Sequence, residues 1–310
     1  MANKRLFVFA AYDVQGVVDG SLLHYVSELT KVGDVVFVMD SNATDEELDK
    51  VKKLGNVLYA SAERHNEYDF GSYKRGFKYA LDNGLLNRYD WVYFVNDSVY
   101  GPLWGLAPIL QDLESRGVDF TGMVDFENAL TPVQIQSWFF GFSKKLANES
   151  FIADFFGRVC HQEEKQLIVL KYEVGLSRLI LKNGYRFSTL VDGQIGEISH
   201  SMYEKPIDMF KAGIPFLKKA GLKNMDGVQY LYPYTTEKMV DLIYRNAVRT
   251  GVSIVREGKP RYNINKFRIS FLGLPIIRVK SQSNTINHKV FLFDVIPVCK
   301  ISITPKRKKA

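Results

Sequence analysis

The first half of the chain alternates short apolar runs with amphipathic segments, and this alternation constrains the fold more than any other feature. Four apolar runs are typical of buried strands: Arg5–Tyr12, Asp34–Met39, Asn56–Ala60 and Trp91–Val95. The segments between them have helical periodicity: Ser21–Lys31, a helix beginning at the capping residue Thr44, and Phe70–Leu81. Apolar strands joined by helices predict a mostly parallel α/β sheet with helices on both faces.

The pattern of strands and helices continues to about residue 190 and then changes. Lys205–Lys223 and Glu237–Arg249 are both predicted to be helical. We therefore divide the chain into an α/β domain at residues 1–200, a helical segment at residues 201–255 and a C-terminal extension at residues 256–310.

The C-terminal extension differs from the rest of the chain in its charge. It holds 13 basic and two acidic residues, whereas the remainder holds 28 basic and 32 acidic residues. Such asymmetry predicts a polyanionic partner for the extension, either an anionic membrane surface or nucleic acid. It also contains a repeat, since Phe271-x3-Pro275-x2-Arg278-Val279 matches Phe293-x3-Pro297-x2-Lys300-Ile301. The repeat predicts either a hairpin packed on the body or a surface that enters lipid headgroups.

The expected location follows from two further features. There is no apolar run of about 18 residues, the length that a membrane-spanning helix needs. The two cysteines, Cys160 and Cys299, form no disulfide framework, which favours a reducing compartment. We expect a cytoplasmic protein that is soluble or peripheral on the inner face of the membrane.

Polar residues follow each of the four predicted strands. These residues are Tyr12-Asp13, Asp40-Ser41-Asn42, the loop 62–69, and Asn96-Asp97-Ser98. Because ligands of open α/β sheets bind beyond the carboxyl ends of the strands, we expect these residues to form one site.

Two segments are the most informative about chemistry. In WVYFVNDSVYGPL, Asp97 either binds a divalent cation or caps a turn. In NEYDFGSYKRGFKYA, Asp69 is predicted to cap a helix whose N-terminus and first turn, with Lys74 and Arg75, offer N–H groups and positive charge to an anion. The alternative is a capped amphipathic helix with a solvated basic side. There is no GxGxxG and no phosphate-binding loop of the GxxxxGK[ST] type.

The order of AAYD, VMDSN, NEYDFGSYKRG, FVNDSVYGPL and QSWFFGFSK, followed by PIDMFKAGIPFLKK, resembles the rhamnan synthesis protein F family over residues 5–223. The family comprises GT-A-like glycosyltransferases of bacterial polysaccharide and lipopolysaccharide assembly. The resemblance implies a GT-A-like, Rossmann-type sheet. It also implies nucleotide-sugar-binding residues at Ala10, Tyr12, Asp40, Asn42, Asp69, Gly71, Lys74, Asn96, Asp97 and Ser98.

Within that set the resemblance assigns parts of the donor to different residues. Tyr12 and Asp40 lie where such enzymes hold the base and ribose, and Asp69, Gly71 and Lys74 lie near the diphosphate. The segment 96–98 stands in the place of the DXD metal motif, but only Asp97 is acidic. The resemblance therefore implies Mg²⁺ or Mn²⁺ at Asp97 while leaving metal dependence open.

On the acceptor side, the resemblance places Gln136 and Trp138 at the strand that borders the acceptor. His200 is a further candidate because it follows a strand near that side, and a surface or capping role is its alternative. The resemblance puts Glu173 near the acceptor hydroxyl as catalytic base, with Asp125 in reserve. The alternative for Glu173 is a carboxylate that stabilises a helix start.

The predicted function is an inverting transfer of a sugar, favoured to be rhamnose from dTDP-rhamnose, to a growing polysaccharide or lipid-linked glycan. A non-catalytic carbohydrate-binding or scaffold protein is the alternative that the incomplete DXD motif favours. A nucleic-acid-binding protein is a second alternative, which depends on the basic extension alone.

Overall fold

The computed structural model describes residues 3–127, 133–191 and 202–256, and the backbone of four strands between residues 267 and 303. It divides into two units, residues 1–256 and residues 257–310.

The first unit is built on an eight-stranded sheet with the order β3-β2-β1-β4-β8-β6-β7, in which β9 also pairs with β6. The strands are β1 Arg5–Ala11, β2 Asp34–Met39, β3 Val57–Ala62, β4 Trp91–Asn96, β6 Phe120–Phe126, β7 Gln134–Ile135, β8 Phe139–Ser143 and β9 Phe187–Val191. Strands β1 to β4 pair in parallel, as do β6 and β9, whereas β8 is antiparallel to both β4 and β6. The predicted mixed α/β fold with a mostly parallel sheet is confirmed.

Helices cover both faces of this sheet. The first unit contains the helices α1 Gly20–Thr30, α2 Asp45–Lys52, α3 Tyr68–Asp82, α4 Ala107–Ser115, α5 Lys144–Ala147, α6 Ser150–Gly157, α7 Lys165–Ile168, α8 Gly175–Lys182, α9 Pro206–Lys211, α10 Lys219–Leu222 and α11 Glu237–Arg249, the last of which packs in a separate core. A π-helical stretch, Val169–Val174, joins α7 to α8. Phe7 and Phe9 of β1 pack in the core that contains α1, α2 and α4 residues, while Leu6 and Val8 pack in the core on the α3 and α6 side. This alternation explains why the strand is apolar throughout.

Two predicted helix boundaries are wrong. The helix predicted over Lys205–Lys223 ends at Lys211, and the chain then forms strand β10, Leu217–Lys218, antiparallel to β5, Val99–Tyr100. Pro215 has no N–H for a helix, and its carbonyl instead accepts a hydrogen bond from the Leu103 N–H at 2.7 Å. Asp69 is not the cap of α3, because the Gly71 N–H already bonds to the carbonyl of Glu67 at 3.2 Å.

The second unit is a four-stranded antiparallel sheet. Its strands follow chain order, β11 Phe267–Phe271, β12 Leu274–Gln282, β13 Ile286–Leu292 and β14 Ile296–Ile303. The two copies of the repeat contribute Pro275–Val279 to β12 and Pro297–Ile301 to β14, with β13 between them. The two copies therefore do not pair with each other as the predicted hairpin, since β13 separates them.

We expect Gly141→Ala to destabilise the protein by about 1–3 kcal/mol through overpacking. Gly141 lies opposite Tyr93 in the β4–β8 pair, and a Cβ there would stand 2.5 Å from two carbons of the buried Tyr93 ring. That ring is held by its hydroxyl, which donates to Glu114 Oε1 at 3.0 Å. Urea denaturation measures the change. Gly157→Ala is the matched control, since no atom lies within 4 Å of its added Cβ. Equal stability of the two variants would contradict the expectation.

Candidate functional site

A cavity of about 880 Å³ opens at the carboxyl edge of β1, β2 and β4. Its wall includes Tyr12, Asp40, Asp69, Asp97 and Ser98, which come from four separate segments of the chain. The polar strand ends singled out in the sequence therefore share one cavity.

One end of the cavity combines an aromatic ring with a fixed loop. Asp40 Oδ1 accepts hydrogen bonds from the backbone N–H groups of His65 at 2.9 Å and Asn66 at 3.1 Å. Arg64 lies 3.1 Å from the same oxygen, and its guanidinium stands 5.0 Å from the centroid of the Tyr12 ring. Tyr12 is 46% exposed. This end offers a flat, accessible ring to a ligand, and Asp40 holds the loop that stands beside it.

The loop at residues 64–68 is backed by α3. Asn66 and Tyr68, which both line the cavity, have φ values of 58° and 57°, a conformation that costs non-glycine residues energy. A Cβ at Gly71 would stand 2.8 Å from the His65 ring, so glycine at this position lets the loop approach the helix. Burial, the largest cause, lowers the pKa of His65, whose Nε2 bonds to Ser72 Oγ at 3.0 Å. The predicted ligand residue Gly71 thus supports the loop.

Asp97 and Ser98 line another part of the cavity, and the buried Asn96 lies behind them. Asn96 Nδ2 donates to Asp69 Oδ2 at 2.7 Å, and Asn96 Oδ1 accepts from the Ser98 N–H at 3.0 Å. Asp97 Oδ2 lies 3.2 Å from the ammonium of Lys219, and Lys218 donates to Ser98 Oγ at 2.8 Å. Two lysines from the β10 end therefore bind the segment.

The donors in this part of the cavity do not fit a divalent metal. The Asn96 carbonyl oxygen is occupied by Ser98, and an ammonium lies at Asp97 Oδ2. In the described part of the chain, no three or more His, Cys, Asp and Glu side chains form a group that could hold a metal ion. Asp97, predicted as the metal ligand, is an ion-pair partner of Lys219.

A third wall comes from the C-terminal end of α11. Arg249 Nη2 lies 2.6 Å from Asp13 Oδ2 and 3.1 Å from Asp19 Oδ2, and Asn246 Nδ2 donates to Asp19 at 2.5 Å. Burial acts to raise the pKa of Asp13 and of Asp19. Hydrogen bonds from Arg249, Asn246 and backbone N–H groups outweigh it, so that both pKa values are lowered. These contacts attach α11 to the loop after β1 and to the start of α1.

Several predicted site residues do not line this cavity. Lys74 donates to the Val159 carbonyl at 2.7 Å, and Glu173 Oε2 accepts from both the N–H and the hydroxyl of Ser137. Asp125 is buried on β6, Ala10 is buried in β1, and Asn42 is exposed outside the cavity.

The predicted acceptor residues lie elsewhere too. The buried Trp138 donates its indole N–H to Gln136 Oε1 at 3.0 Å, and neither residue lines the cavity. His200 lies outside the described residues.

The cavity also contains residues that the sequence did not single out as a site: Asp19, His161, Lys219, Asn246 and Arg249. Lys219 ends the PFLKK element, which is a sequence signal that the wrong helix prediction obscured. Asn246 and Arg249 are separated from the α/β motifs by more than a hundred residues and carry no local signal.

Comparison with known proteins gives a family match over most of the chain. The family model described as "Rhamnan synthesis protein F" matches residues 35–285. The virulence protein VirA of Vibrio anguillarum is 28% identical over 211 residues, covering 57% of this chain and 67% of VirA.

Solved structures with a similar fold include two glycosyltransferases. The apo-form glycosyltransferase GlyE of Streptococcus pneumoniae is 10% identical with a TM-score of 0.39, covering 86% of this chain and 69% of GlyE. The mannosyltransferase Ktr4p of S. cerevisiae is 8% identical with a TM-score of 0.33, covering 49% of this chain. This chain spans 59% of the length of Ktr4p.

We expect Arg249→Met to destabilise the protein by about 1–3 kcal/mol at neutral pH, because it leaves two carboxylates without their cation. Asp13 and Asp19 have lowered pKa values in the folded state, so their contribution is present above the unfolded pKa of about 4 and is lost as pH falls through the folded pKa. The difference between wild type and variant should therefore shrink below about pH 4. Urea denaturation across a pH series measures it.

The matched control for this prediction is Arg245→Met on the same helix. Arg245 pairs with Asp241 and its side chain is 76% exposed, so the loss should not exceed about 0.5 kcal/mol. A loss at Arg249 no larger than that at Arg245, or independent of pH, would show that the Arg249 contacts do not hold α11.

Proposed function

Because this chain belongs to the rhamnan synthesis protein F family, we propose that it is a glycosyltransferase whose nucleotide-sugar donor binds in the 880 Å³ cavity. One observation carries the proposal: the cavity lies at the carboxyl ends of three adjacent parallel strands and joins an exposed aromatic ring to a cationic end. Its volume is in the range of small-ligand sites.

Two parts of the cavity wall suit the nucleobase and the diphosphate of a nucleotide-sugar. Tyr12, with Arg64 beside its ring, offers a stacking surface for the nucleobase. The ammonium of Lys219 and the 96–98 segment lie at the part that suits the diphosphate. Asp40, Asp69 and Asn96 shape these two parts through the hydrogen bonds that they accept or donate.

We further propose rhamnose, carried by dTDP, as the donor sugar and a growing polysaccharide or lipid-linked glycan as the acceptor, with inversion at the anomeric carbon. The family description supports this choice. We propose Glu173 as the base that accepts the hydroxyl proton, with Asp125 in reserve. Glu173 binds Ser137 and Asp125 is buried on β6, so either carboxylate would have to move before it contacts an acceptor in the cavity.

A panel of nucleotide-sugars tests the proposal. We expect the matching donor to raise the melting temperature of the protein and to release its nucleoside diphosphate in the presence of an acceptor glycan, as measured by a coupled phosphatase assay. Binding without release under any acceptor would favour a carbohydrate-binding or scaffold protein. If no nucleotide-sugar binds and no nucleoside diphosphate is released, the proposal is overturned.

We expect Tyr12→Ala to weaken nucleoside diphosphate binding about tenfold, because loss of base stacking costs on the order of 1–3 kcal/mol. Tyr12 is exposed, so the variant should fold normally. Isothermal titration calorimetry measures the affinity. Tyr232→Ala is the matched control, since Tyr232 is 40% exposed and lies outside the cavity. Equal affinities of the two variants would remove Tyr12 from the site.

We also propose that the sheet of residues 267–303 rests on an anionic membrane surface. In its register Lys280, Lys289 and Lys300 lie directly across from one another, and Arg268 lies across from Arg278. Because alternate residues of a strand share a face, these five bases share one face. The other face receives mainly apolar residues: Phe267, Ile269, Ile277, Val279, Val290, Leu292, Cys299 and Ile301.

A row of like charges across a sheet is unfavourable unless an anion compensates it, which supports a polyanionic partner. A membrane is favoured over nucleic acid because a lipid-linked acceptor would lie at its surface. In the described part of the chain no helix has the length and hydropathy to cross a bilayer.

Exchange of Lys280, Lys289 and Lys300 for Glu tests this surface in the full chain. We expect about a hundredfold weaker partition to phosphatidylglycerol vesicles at low salt, since each base near an anionic surface contributes on the order of 1 kcal/mol. Cosedimentation measures it. Exchange of the exposed Lys53, Lys182 and Lys223 for Glu changes the net charge equally and should have little effect. Equal losses, or binding of wild type to DNA but not vesicles, would rule out the membrane surface.

A further inference from the structure

The segment that carries Lys219 is fixed against the segment that carries Asp97. Leu217 and Lys218 pair antiparallel with Tyr100 and Val99, and the Lys219 N–H donates to the Ser98 carbonyl at 2.9 Å. Two stretches of the chain more than a hundred residues apart thus form one small ladder beside the cavity. The ladder determines where the Lys219 side chain begins.

Lys219 differs from the other cations of the cavity in how it is engaged. Arg249 binds two carboxylates, and Arg64 bonds to both the carbonyl and the carboxylate of Asp40. Lys219 has a single ion-pair partner among the described residues, Asp97, at 3.2 Å. Its side chain is 30% exposed and lines the cavity. An ammonium on a flexible stem can turn from Asp97 to a ligand oxygen at little cost.

We propose that Lys219 supplies the positive charge that binds the donor's diphosphate, so that diphosphate binding in this cavity needs no divalent metal. The inference rests on the proposed function and names the group that acts in the place of the metal. It follows from the donor set, since the Lys219 ammonium lies at Asp97 and Ser98 occupies the Asn96 carbonyl oxygen, where a metal site would need free oxygen ligands.

The sugar transfer needs no metal to account for the bonds, the electron pair and the proton. The bond between the anomeric carbon and the diphosphate oxygen breaks, and its electron pair leaves with the diphosphate. The acceptor oxygen forms the new bond and gives its proton to a base. Lys219 donates a hydrogen bond to the phosphate oxygens as negative charge develops there, and it keeps its own proton. Asp97 positions the ammonium before the donor arrives.

Nucleoside diphosphate binding in the presence of EDTA tests this inference by calorimetry. The probes are dTDP, UDP and GDP, each compared with its nucleoside. We expect wild type to bind one diphosphate equally well with EDTA and with Mn²⁺. Lys219→Met should weaken that binding about 10- to 100-fold, the loss of one charged hydrogen bond, and leave the affinity for the nucleoside unchanged. Lys223→Met, an exposed lysine after the same short helix, should change neither affinity.

A second variant separates the two roles of Asp97. If Asp97 is only the partner of Lys219, the Asp97→Asn variant should bind the diphosphate in EDTA as tightly as wild type or more tightly. If Asp97 is instead a metal ligand, the same variant should lose a diphosphate binding that requires Mn²⁺. Binding by wild type only with Mn²⁺, or unchanged diphosphate affinity in Lys219→Met, would overturn the role of Lys219 while the proposed function stands. Absence of binding by any diphosphate, with or without Mn²⁺, would overturn both.

Discussion

The parallel pairing of β1 with β2 on one side and β4 on the other is the constraint on which the site depends. Ala10 is the register partner of both Val38 and Asn96, so the three chains leave the sheet at the same level. The residues that follow the three strands therefore lie next to one another along this edge of the sheet. The hydrogen bonds from Asp40 N to the Ala11 carbonyl and from Asp97 N to the Ala10 carbonyl extend this alignment past the strand ends.

The aligned strand ends and the loops after them line most of the cavity, and residues beyond 200 add a further wall. The β5–β10 ladder brings in the lysine end, and the Arg249 contacts bring in the end of α11. Each attachment combines backbone or charged hydrogen bonds with a small apolar core that contains Tyr100, Leu217 and Ile243. The helical segment is therefore part of the binding unit, because without it the cavity would have no cationic wall from that side.

The sheet could be predicted from sequence because its strands are apolar on both faces. The edge that carries the cavity could be predicted because polar residues follow each strand. What failed depended on contacts that have no local signal. Lys205–Lys223 is predicted as one continuous helix, because helical periodicity does not register that the chain leaves the helix before Pro215 and pairs with β5 before Lys219 begins a second, short helix. Lys74 has the charge to bind a phosphate and Glu173 has the carboxylate of a base, but both side chains bind neighbouring loops. Lys74 donates to the Val159 carbonyl, and Glu173 accepts from the Ser137 N–H.

Carboxylates are the clearest case of chemistry that sequence alone cannot assign. Asp13, Asp19 and Asp40 each accept at least two backbone N–H groups, so much of their hydrogen-bonding capacity is spent on loops and on a helix start. Such residues line the cavity because they hold the loops and the helix start that form its wall. Asp97 differs from these three, since its side chain pairs with the ammonium of Lys219, which can move. A lone aspartate after a strand therefore indicates a cationic partner. In this fold the distant segment that pairs with the strand end supplies that partner as an ammonium.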